Sequence, residues 1–271
     1  MPAATISQRR ENFERLHGSL SPHCAPDETR TRVAQGAAVQ MPLSHATSFG
    51  NLQPILSNGA LMSQVQSGRP PGNAESILET ADDVFLYAAA FSYPDTECGF
   101  LFVSSLEVGH EGDGVATPFD SGALATMEFV KPSPPYTEGV TFVRDHELPV
   151  SDYRNILSTI ISEYSRSLEH YLDRPEDFSC FSCGTSRAHP YGLSGGDRRA
   201  ATFELRIPQR VPLQPPHLRA VFVREGFETA ELSTLFASGV TIERYAANDD
   251  DSFFHAMRAS CISFILEHSI S

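Results

Sequence analysis

The chain has 271 residues, 41% hydrophobic and 20% charged, a balance that excludes a disordered chain and a coiled coil. Its 34 acidic and 20 basic side chains give a formal net charge of −14. That charge disfavours a broad phosphate-binding surface, because each neutralised phosphate needs a cation. No apolar run approaches the roughly 18 residues of a membrane helix, and charged residues stand where a signal peptide would lie. With five cysteines, an odd number, we expect a cytoplasmic protein with mostly free thiols.

The first half of the chain predicts an appendage followed by a globular region. Residues 1–38 predict a loosely ordered N-terminal arm, because a short helical pattern gives way to a stretch of low apolar content. Residues 39–271 predict one domain. Its first elements are a strand in 39–47, a helix that starts at the N-cap Asn51 and stops at Asn58-Gly59, a polar loop over 63–76, strands within 82–93 and 99–107, and a glycine-rich loop over 109–122.

The second half begins with the clearest helical pattern in the sequence, over residues 152–172. After it we predict a long loop over 173–196, strands in 200–213 and 218–225, a short helix in 229–239, a strand in 240–246 and a final helix in 251–270. Helices and strands are interspersed without strict alternation, so the predicted fold class is α+β.

The most informative segment is LSHATSFGNLQPILSNGAL, residues 43–61. His45 lies at the end of a predicted strand, where polar side chains face ligand-binding crevices. The pattern H-x-T followed by N-L-x-x-I-L-x-x-G resembles the first motif of ADP-ribosyltransferases and is closest to the DarT-type toxin and phage-defence enzymes. It is also similar to RNA 2′-phosphotransferases and to enzymes like poly-ADP-ribose polymerases. Ala46 stands where many of these transferases have glycine.

The resemblance implies an aromatic residue on a middle strand and a glutamate on a late strand, and Tyr87 and Glu204 stand at such positions. It further implies a single ADP-ribosyltransferase-like domain, whose split, mainly antiparallel sheet is flanked by helices, with NAD as substrate and no metal. In the implied catalytic set, Glu204 stabilises the positive charge that develops on the nicotinamide ribose of NAD, and Tyr87 packs on the nicotinamide ring. His45 bonds the adenosine ribose. The further candidate NAD-binding residues are Thr47, Ser48, Asn51 and Arg69.

The acceptor of the ADP-ribose is left open between a nucleic-acid base and a protein side chain. The resemblance favours nucleic acid, whereas the negative charge favours a protein, or RNA bound through a small patch. The candidate substrate-binding residues stand in or beside the two long loops and are Asp120, Ser121, Arg187, Arg198 and Arg199. By the same resemblance we expect a toxin or antiphage effector, with an antitoxin as a possible partner and no membrane association.

Two other functions stay open at this point. An NAD-consuming RNA 2′-phosphotransferase would need a cluster of cations at its acceptor site, and the sequence shows only scattered arginines. A non-catalytic module of the same fold would bind NAD or nucleic acid without turnover. Cys180, Cys183 and His189 give three of the four ligands of a structural zinc site, so we predict no metal. The signatures of phosphate loops, Rossmann dehydrogenases and serine hydrolases are absent from the sequence.

Overall fold

The structure is a computed structural model that describes residues 4–18, 41–91, 93, 95–103, 114–117, 119–122, 137–150, 152, 172, 203–247 and 253–269. The helices in these ranges are α1 (Ile6–Gly18), α2 (Phe49–Asn58), α3 (Asn73–Leu78), α4 (Thr137–Arg144), α5 (Ala230–Ala237) and α6 (Phe253–Ser269). The strands are β1 (Leu43–Thr47), β2 (Ala60–Met62), β3 (Asp83–Ala88), β4 (Cys98–Phe102), β5 (Val115–Thr117), β6 (Leu148–Pro149), β7 (Glu204–Pro208), β8 (Arg210–Pro212), β9 (Leu218–Arg224) and β10 (Thr241–Tyr245).

Eight of these strands form one sheet, in the order β10-β9-β4-β1-β3-β7-β5-β6. Every neighbouring pair in it is antiparallel except β9 with β10. Strands β2 and β8 make a separate two-stranded sheet. The predicted α+β class, with a large and mainly antiparallel sheet flanked by helices, is confirmed.

The central strands are buried because their residues are apolar on both faces. All five residues of β4 are buried, and Phe100 and Phe102 have no exposed surface. Helix α6 contacts β9 and places the Phe264 ring 5.9 Å from that of Phe222. Strands of this kind read as continuous apolar runs, which is why the sequence pattern locates them well.

The sheet splits on one side of β1. Strand β1 pairs with β4 along all five of its residues, but it pairs with β3 only at Leu43 and Ser44. Beyond Ser44 the two strands separate, and the first residue past the separation is His45. The split expected from the resemblance is therefore present, and it lies beside the predicted site residue.

Two predicted boundaries near the split are wrong. Helix α2 begins at Phe49 with Ser48 as its N-cap, two residues before the predicted start at Asn51. Its predicted end is confirmed, because Gly59 adopts a φ of 62°, which suits glycine. The predicted loop over 63–76 is also too long, since α3 begins at Asn73 and buries Leu78.

The glycine-rich segment over 109–122 is not wholly a loop either. Residues 115–117 form β5, which pairs with β7 on one side and with β6 on the other. A three-residue strand has no readable periodicity of its own, and its neighbours define it. The predicted helix over 152–172 lies outside the described residues except at its two ends, and the predicted loop over 173–196 lies wholly outside them.

The N-terminal helix α1 contacts the body of the protein. Arg10 pairs with Asp152 at 2.7 Å, and the Asn12 side chain donates to the Asp145 carbonyl at 2.9 Å. These contacts attach the start of the chain to the region around α4 and β6. The division into an arm over 1–38 and a domain over 39–271 stays a prediction.

In the part of the chain that the structure covers, no helix combines the length and the apolar character needed to span a membrane.

The close contact between Gly99 and the Phe91 ring predicts that substitution of Gly99 destabilises the fold. A Cβ placed on Gly99 would lie 2.1 Å from the Phe91 ring, which is itself 1% exposed. We expect Gly99→Ala to lower the free energy of unfolding by about 1–3 kcal/mol, because overpacking displaces a buried ring. Urea denaturation followed by circular dichroism measures the change.

Gly50→Ala is the matched control for this substitution. Gly50 lies in α2 with open space where its Cβ would be, so alanine there should be neutral or stabilise by up to about 1 kcal/mol. Equal stability of the two variants would contradict the packing argument.

Candidate active site

A cleft of about 590 Å³ opens where β1 and β3 separate. Its walls come from β1, β3, β7, the α3 region and the segment after β5. The lining residues are His45, Ala46, Asn73, Ala74, Glu75, Leu78, Thr80, Phe85, Tyr87, Tyr93, Asp120, Gly122 and Glu204. All three predicted catalytic residues, His45, Tyr87 and Glu204, are among them, although they are up to 159 positions apart in the sequence.

His45 bridges the gap between the two parted strands. Its Nδ1 lies 2.9 Å from the Phe85 carbonyl oxygen. A carbonyl only accepts, so Nδ1 carries the proton and Nε2 is left as an acceptor in the neutral ring. Burial lowers the pKa of His45 and so favours that neutral ring. The histidine can therefore accept a hydrogen bond from a ligand hydroxyl while it holds β1 to β3.

Tyr87 and Glu204 are placed by strand register. Tyr87 pairs directly with Glu204 across β3 and β7, and Glu204 pairs with Thr117 of β5 on its other side. Directly opposed residues project to the same face of a sheet. Glu204 is 1% exposed and Tyr87 is 8% exposed, so an aromatic side chain and a carboxylate meet at the cleft with little access to water.

Glu204 is held on both of its carboxylate oxygens by one residue. The Ser121 backbone N–H donates to Oε2 at 3.2 Å, and the Ser121 hydroxyl donates to Oε1. Burial, followed by the nearby charge of Asp120, raises the pKa of Glu204 to about 8, although Arg206 and the two Ser121 hydrogen bonds oppose the rise. A carboxyl group whose pKa is raised this far in a cleft is a strong candidate for a functional group.

Glu204 is the first member of a chain of alternating acidic and basic side chains. Arg206 is 3% exposed. Its Nε lies 3.7 Å from Glu204 Oε1, and its Nη2 is hydrogen-bonded to Glu147. Arg144 Nη1 donates to both oxygens of Glu147, at 2.9 and 3.2 Å, and Arg9 of α1 lies 4.0 Å from the same group. The cation beside Glu204 is thus fixed by partners outside the cleft.

Tyr93 brings a second carboxylate into the cleft. Its ring centroid lies 5.1 Å from that of Tyr87, and its hydroxyl donates a hydrogen bond to Asp120. Burial, with the neighbouring acidic groups, raises the pKa of both tyrosines well above the usual range. Both phenols are therefore neutral, and Tyr93 acts as a donor to Asp120.

Four predicted NAD-binding residues form a separate polar cluster. The Asn51 amide donates to the hydroxyls of Thr47 and Ser48, each at 3.1 Å, and Arg69 Nη2 donates to Asn51 Oδ1 at 2.8 Å. None of the four lines the cleft among the residues that the structure describes. Thr47 is two residues beyond His45 on β1, so it projects to the same side of that strand. The cluster therefore begins next to the lining residues His45 and Ala46 of β1 and includes the exposed Arg69.

The predicted substrate-binding residues fall into two groups. Asp120 lines the cleft, and Ser121 next to it is fully buried against Glu204. The structure therefore brings Asp120 together with the predicted catalytic residues and gives Ser121 a contact to Glu204. Arg187, Arg198 and Arg199 lie outside the described residues.

Sequence reasoning missed several residues that line the cleft. Thr80 is 3% exposed, and its hydroxyl has no hydrogen-bond partner in the structure. Phe85 is two residues before Tyr87 on β3, so period-two alternation could have found it. Tyr93 and helix α3 follow turns and short segments, where no pattern in the sequence marks them.

No group of three or more histidine, cysteine, aspartate or glutamate side chains in the described ranges could hold a metal ion. Cys180, Cys183 and His189, which gave the weak zinc signal, lie outside those ranges. The two cysteines with described surroundings, Cys98 and Cys261, are buried and free, and burial raises the pKa of each thiol to about 12.

The chain has little detectable similarity to known proteins. No protein-family model matches the chain, and no curated protein matches its sequence. A solved structure described as Thermus sp. 2.9 DarT in complex with NAD+ is similar with a TM-score of 0.38 and 13% identity, covering 75% of this chain and 94% of that one. At that TM-score the likeness does not by itself establish a shared fold or function.

The raised pKa of Glu204 predicts a pH-dependent stability. Its folded value of about 8 exceeds the ordinary 4.5, so between these values the folded state binds more protons than the unfolded one. Linkage then makes the free energy of unfolding fall as pH rises. We expect the stability of the wild type relative to Glu204→Gln to decline between about pH 5 and 8, as measured by urea denaturation at several pH values.

Asp120→Asn refines this measurement. The substitution removes a negative charge that raises the pKa of Glu204. The decline of stability with rising pH should therefore end at a lower pH in that variant. Parallel stability curves for the wild type and Glu204→Gln would contradict the assignment of a raised pKa.

Proposed function

We propose that the protein is an NAD-dependent mono-ADP-ribosyltransferase. The observation that carries the proposal is the convergence of His45, Tyr87 and Glu204 from three strands on one cleft of about 590 Å³. A cleft of this size suits a small-molecule ligand. The motif resemblance identifies these three residues from the sequence alone, so their proximity in the fold is an independent observation.

The chemistry matches the groups at the cleft. Cleavage of the bond between ribose and the cationic nicotinamide passes through an oxocarbenium-like state, as glycoside hydrolysis does. A fixed carboxylate stabilises the developing charge most effectively where water is excluded, and Glu204 is both buried and held by Ser121. The approach of the cationic nicotinamide ribose would favour the ionised form of Glu204, whatever its charge in the free protein.

Other residues of the site suit the nicotinamide ring, a ribose hydroxyl and the diphosphate of NAD. The Tyr87 ring offers a flat apolar face to nicotinamide, and His45 Nε2 is an acceptor for a ribose hydroxyl. Among the described residues, no lysine or arginine lines the cleft, so the diphosphate needs a cation from outside this set. Arg69, which is exposed and hydrogen-bonded to Asn51, is the candidate that we propose from the described residues.

The acceptor, the biological role and the location stay predictions of the motif resemblance. We propose a nucleic-acid base as the acceptor, with a protein side chain as the alternative. A toxin or antiphage role, a cytoplasmic location and an antitoxin partner follow from the same resemblance. Incubation of the protein with labelled NAD and a cell lysate, followed by separation of protein, RNA and DNA, identifies the class of acceptor.

The cleft gives less support to the two other functions. Transfer of an RNA 2′-phosphate needs cations at the acceptor, and acidic side chains such as Glu75, Asp120 and Glu204 line this cleft instead. A binding module has no need of a buried carboxylate with a raised pKa, which is costly to ionise. Transfer of ADP-ribose uses that carboxylate.

Glu204→Gln tests the proposed reaction. The substitution keeps the size of the side chain and removes its charge, so nicotinamide release from NAD should fall by about 10²–10³-fold, the usual loss for one electrostatic contact to a transition state. Chromatographic measurement of nicotinamide gives the rate. The control is Glu228→Gln, the same change at an exposed residue paired with Arg244, and it should retain the wild-type rate.

Two outcomes would contradict the role of Glu204. One is near-full activity of Glu204→Gln, and the other is a variant that is inactive because it has unfolded.

Arg69→Gln tests the proposed diphosphate contact. Loss of one exposed charge-assisted hydrogen bond should raise the KM for NAD by roughly three- to tenfold. The kcat should change little, because the contact is remote from the broken bond. Arg244→Gln, on the outermost strand β10, is the control and should leave both constants unchanged. A fall in kcat with an unchanged KM would place Arg69 elsewhere in the reaction.

A further inference from the structure

Two carboxylates, and not one, stand at the proposed reaction centre. Asp120 and Glu204 both line the cleft, and they are 2% and 1% exposed. Ser121, the residue after Asp120, donates to both oxygens of Glu204, and the charge of Asp120 is close enough to act on Glu204. Adjacent titratable groups in different environments commonly divide acid, base and electrostatic roles between them.

The contacts of the two carboxylates differ in a way that suits different tasks. Ser121 fixes Glu204 at both oxygens, and Arg206 faces the same group. These contacts fix the orientation of the Glu204 carboxyl group, so it is preorganised to stabilise charge. Asp120 accepts a hydrogen bond from the Tyr93 phenol, and this contact orients its carboxylate for the role of a base.

An independent feature of the same cleft indicates that a ligand occupies it. Thr80 lines the cleft and is 3% exposed, and its hydroxyl has no hydrogen-bond partner among the described residues. Buried polar atoms are nearly always satisfied in folded proteins, and one that is not calls for an explanation. A bound polar molecule would supply the missing partner beside the two carboxylates.

We propose that Asp120 is the base that takes the proton from the attacking nucleophile, while Glu204 stabilises the cationic ribose. The inference rests on the transferase function proposed above. The bond from ribose C1′ to nicotinamide N1 breaks, and its electron pair leaves with neutral nicotinamide. A lone pair of the nucleophile forms the new bond to C1′, the proton of the nucleophile moves to Asp120, and solvent later removes it.

A nucleophile that carries no proton distinguishes the role of Asp120 as a base from the role of Glu204 in stabilising the cationic ribose, because only the first depends on proton transfer. Water must lose a proton when it attacks ribose, whereas azide needs no base. The experiment therefore measures NAD consumption by Asp120→Asn in buffer alone and in buffer with sodium azide, and identifies ADP-ribose and ADP-ribosyl azide by mass spectrometry. We expect hydrolysis to fall at least about 10²-fold, the lower range for loss of a general base, and azide to restore consumption toward the wild-type rate.

Glu204→Gln is the matched comparison, because azide should not restore its activity. Glu228→Gln, an exposed carboxylate paired with Arg244, should behave as the wild type with either nucleophile. If Asp120→Asn does not fold, Tyr93→Phe replaces it. That variant keeps the carboxylate without its donor, and it should slow hydrolysis while leaving azide-dependent consumption unchanged.

The possible results separate failure of this inference from failure of the proposed function. A wild type that consumes no NAD, with or without lysate, overturns both. A wild type that consumes NAD while Asp120→Asn hydrolyses it at the normal rate overturns only the role of Asp120. Loss of activity in folded Asp120→Asn that azide does not restore also overturns it, as does an equal loss of both reactions in Tyr93→Phe.

Discussion

The pairing register of β3 with β7 is the constraint on which the rest of the site depends. It sets Tyr87 opposite Glu204, and the neighbouring pairs extend this row to Ser44 on β1 and Thr117 on β5. A shift of one residue in a strand turns every side chain to the other face. Glu204 would then leave the cleft and an apolar neighbour would take its place. The apolar residues that alternate with this row in β3 and β7, such as Leu86 and Leu205, are buried and fix the register.

A buried carboxylate at the centre of a sheet is expensive unless charge or hydrogen bonds compensate it. Here the compensation comes from two sources. Ser121 supplies two hydrogen-bond donors, and Arg206, two residues further along β7, supplies a positive charge. Arg206 is also hydrogen-bonded to Glu147, so its positive charge faces two carboxylates. Burial and the nearby charge of Asp120 outweigh Arg206 and the Ser121 hydrogen bonds, so the pKa of Glu204 remains raised.

The sequence predicts those parts of the site that lie on regular elements with strong patterns. His45, Tyr87 and Glu204 stand on strands whose apolar residues make them recognisable, and the motif around His45 links them to one chemistry. Thr80 and Tyr93 could not be found in this way, because they follow short turns whose course depends on contacts distant in the sequence.

Strand β5 and helix α3 show the same limit for the fold. Three residues are too few to display a period, so β5 appears only through its pairing with β7. The six residues of α3 follow a loop rich in glycine and proline, whose composition hides them. The predicted start of α2 at Asn51 was wrong for a related reason. Asn51 has the side chain of a good N-cap, but its amide is engaged with Thr47 and Ser48 inside the first turn.

The placement of charge along the cleft gives it an electrical polarity. Among the described residues, Asp120 and Glu204 line the cleft without a lysine or arginine, whereas the exposed Arg69 belongs to the polar cluster that begins beside His45 and Ala46. Low-dielectric walls focus such a field and strengthen its effect on an entering molecule. A molecule with a cationic head and an anionic middle would align with that field before it touched the walls. The field would therefore favour one of the two possible orientations of the approaching molecule before any specific contact with the walls forms.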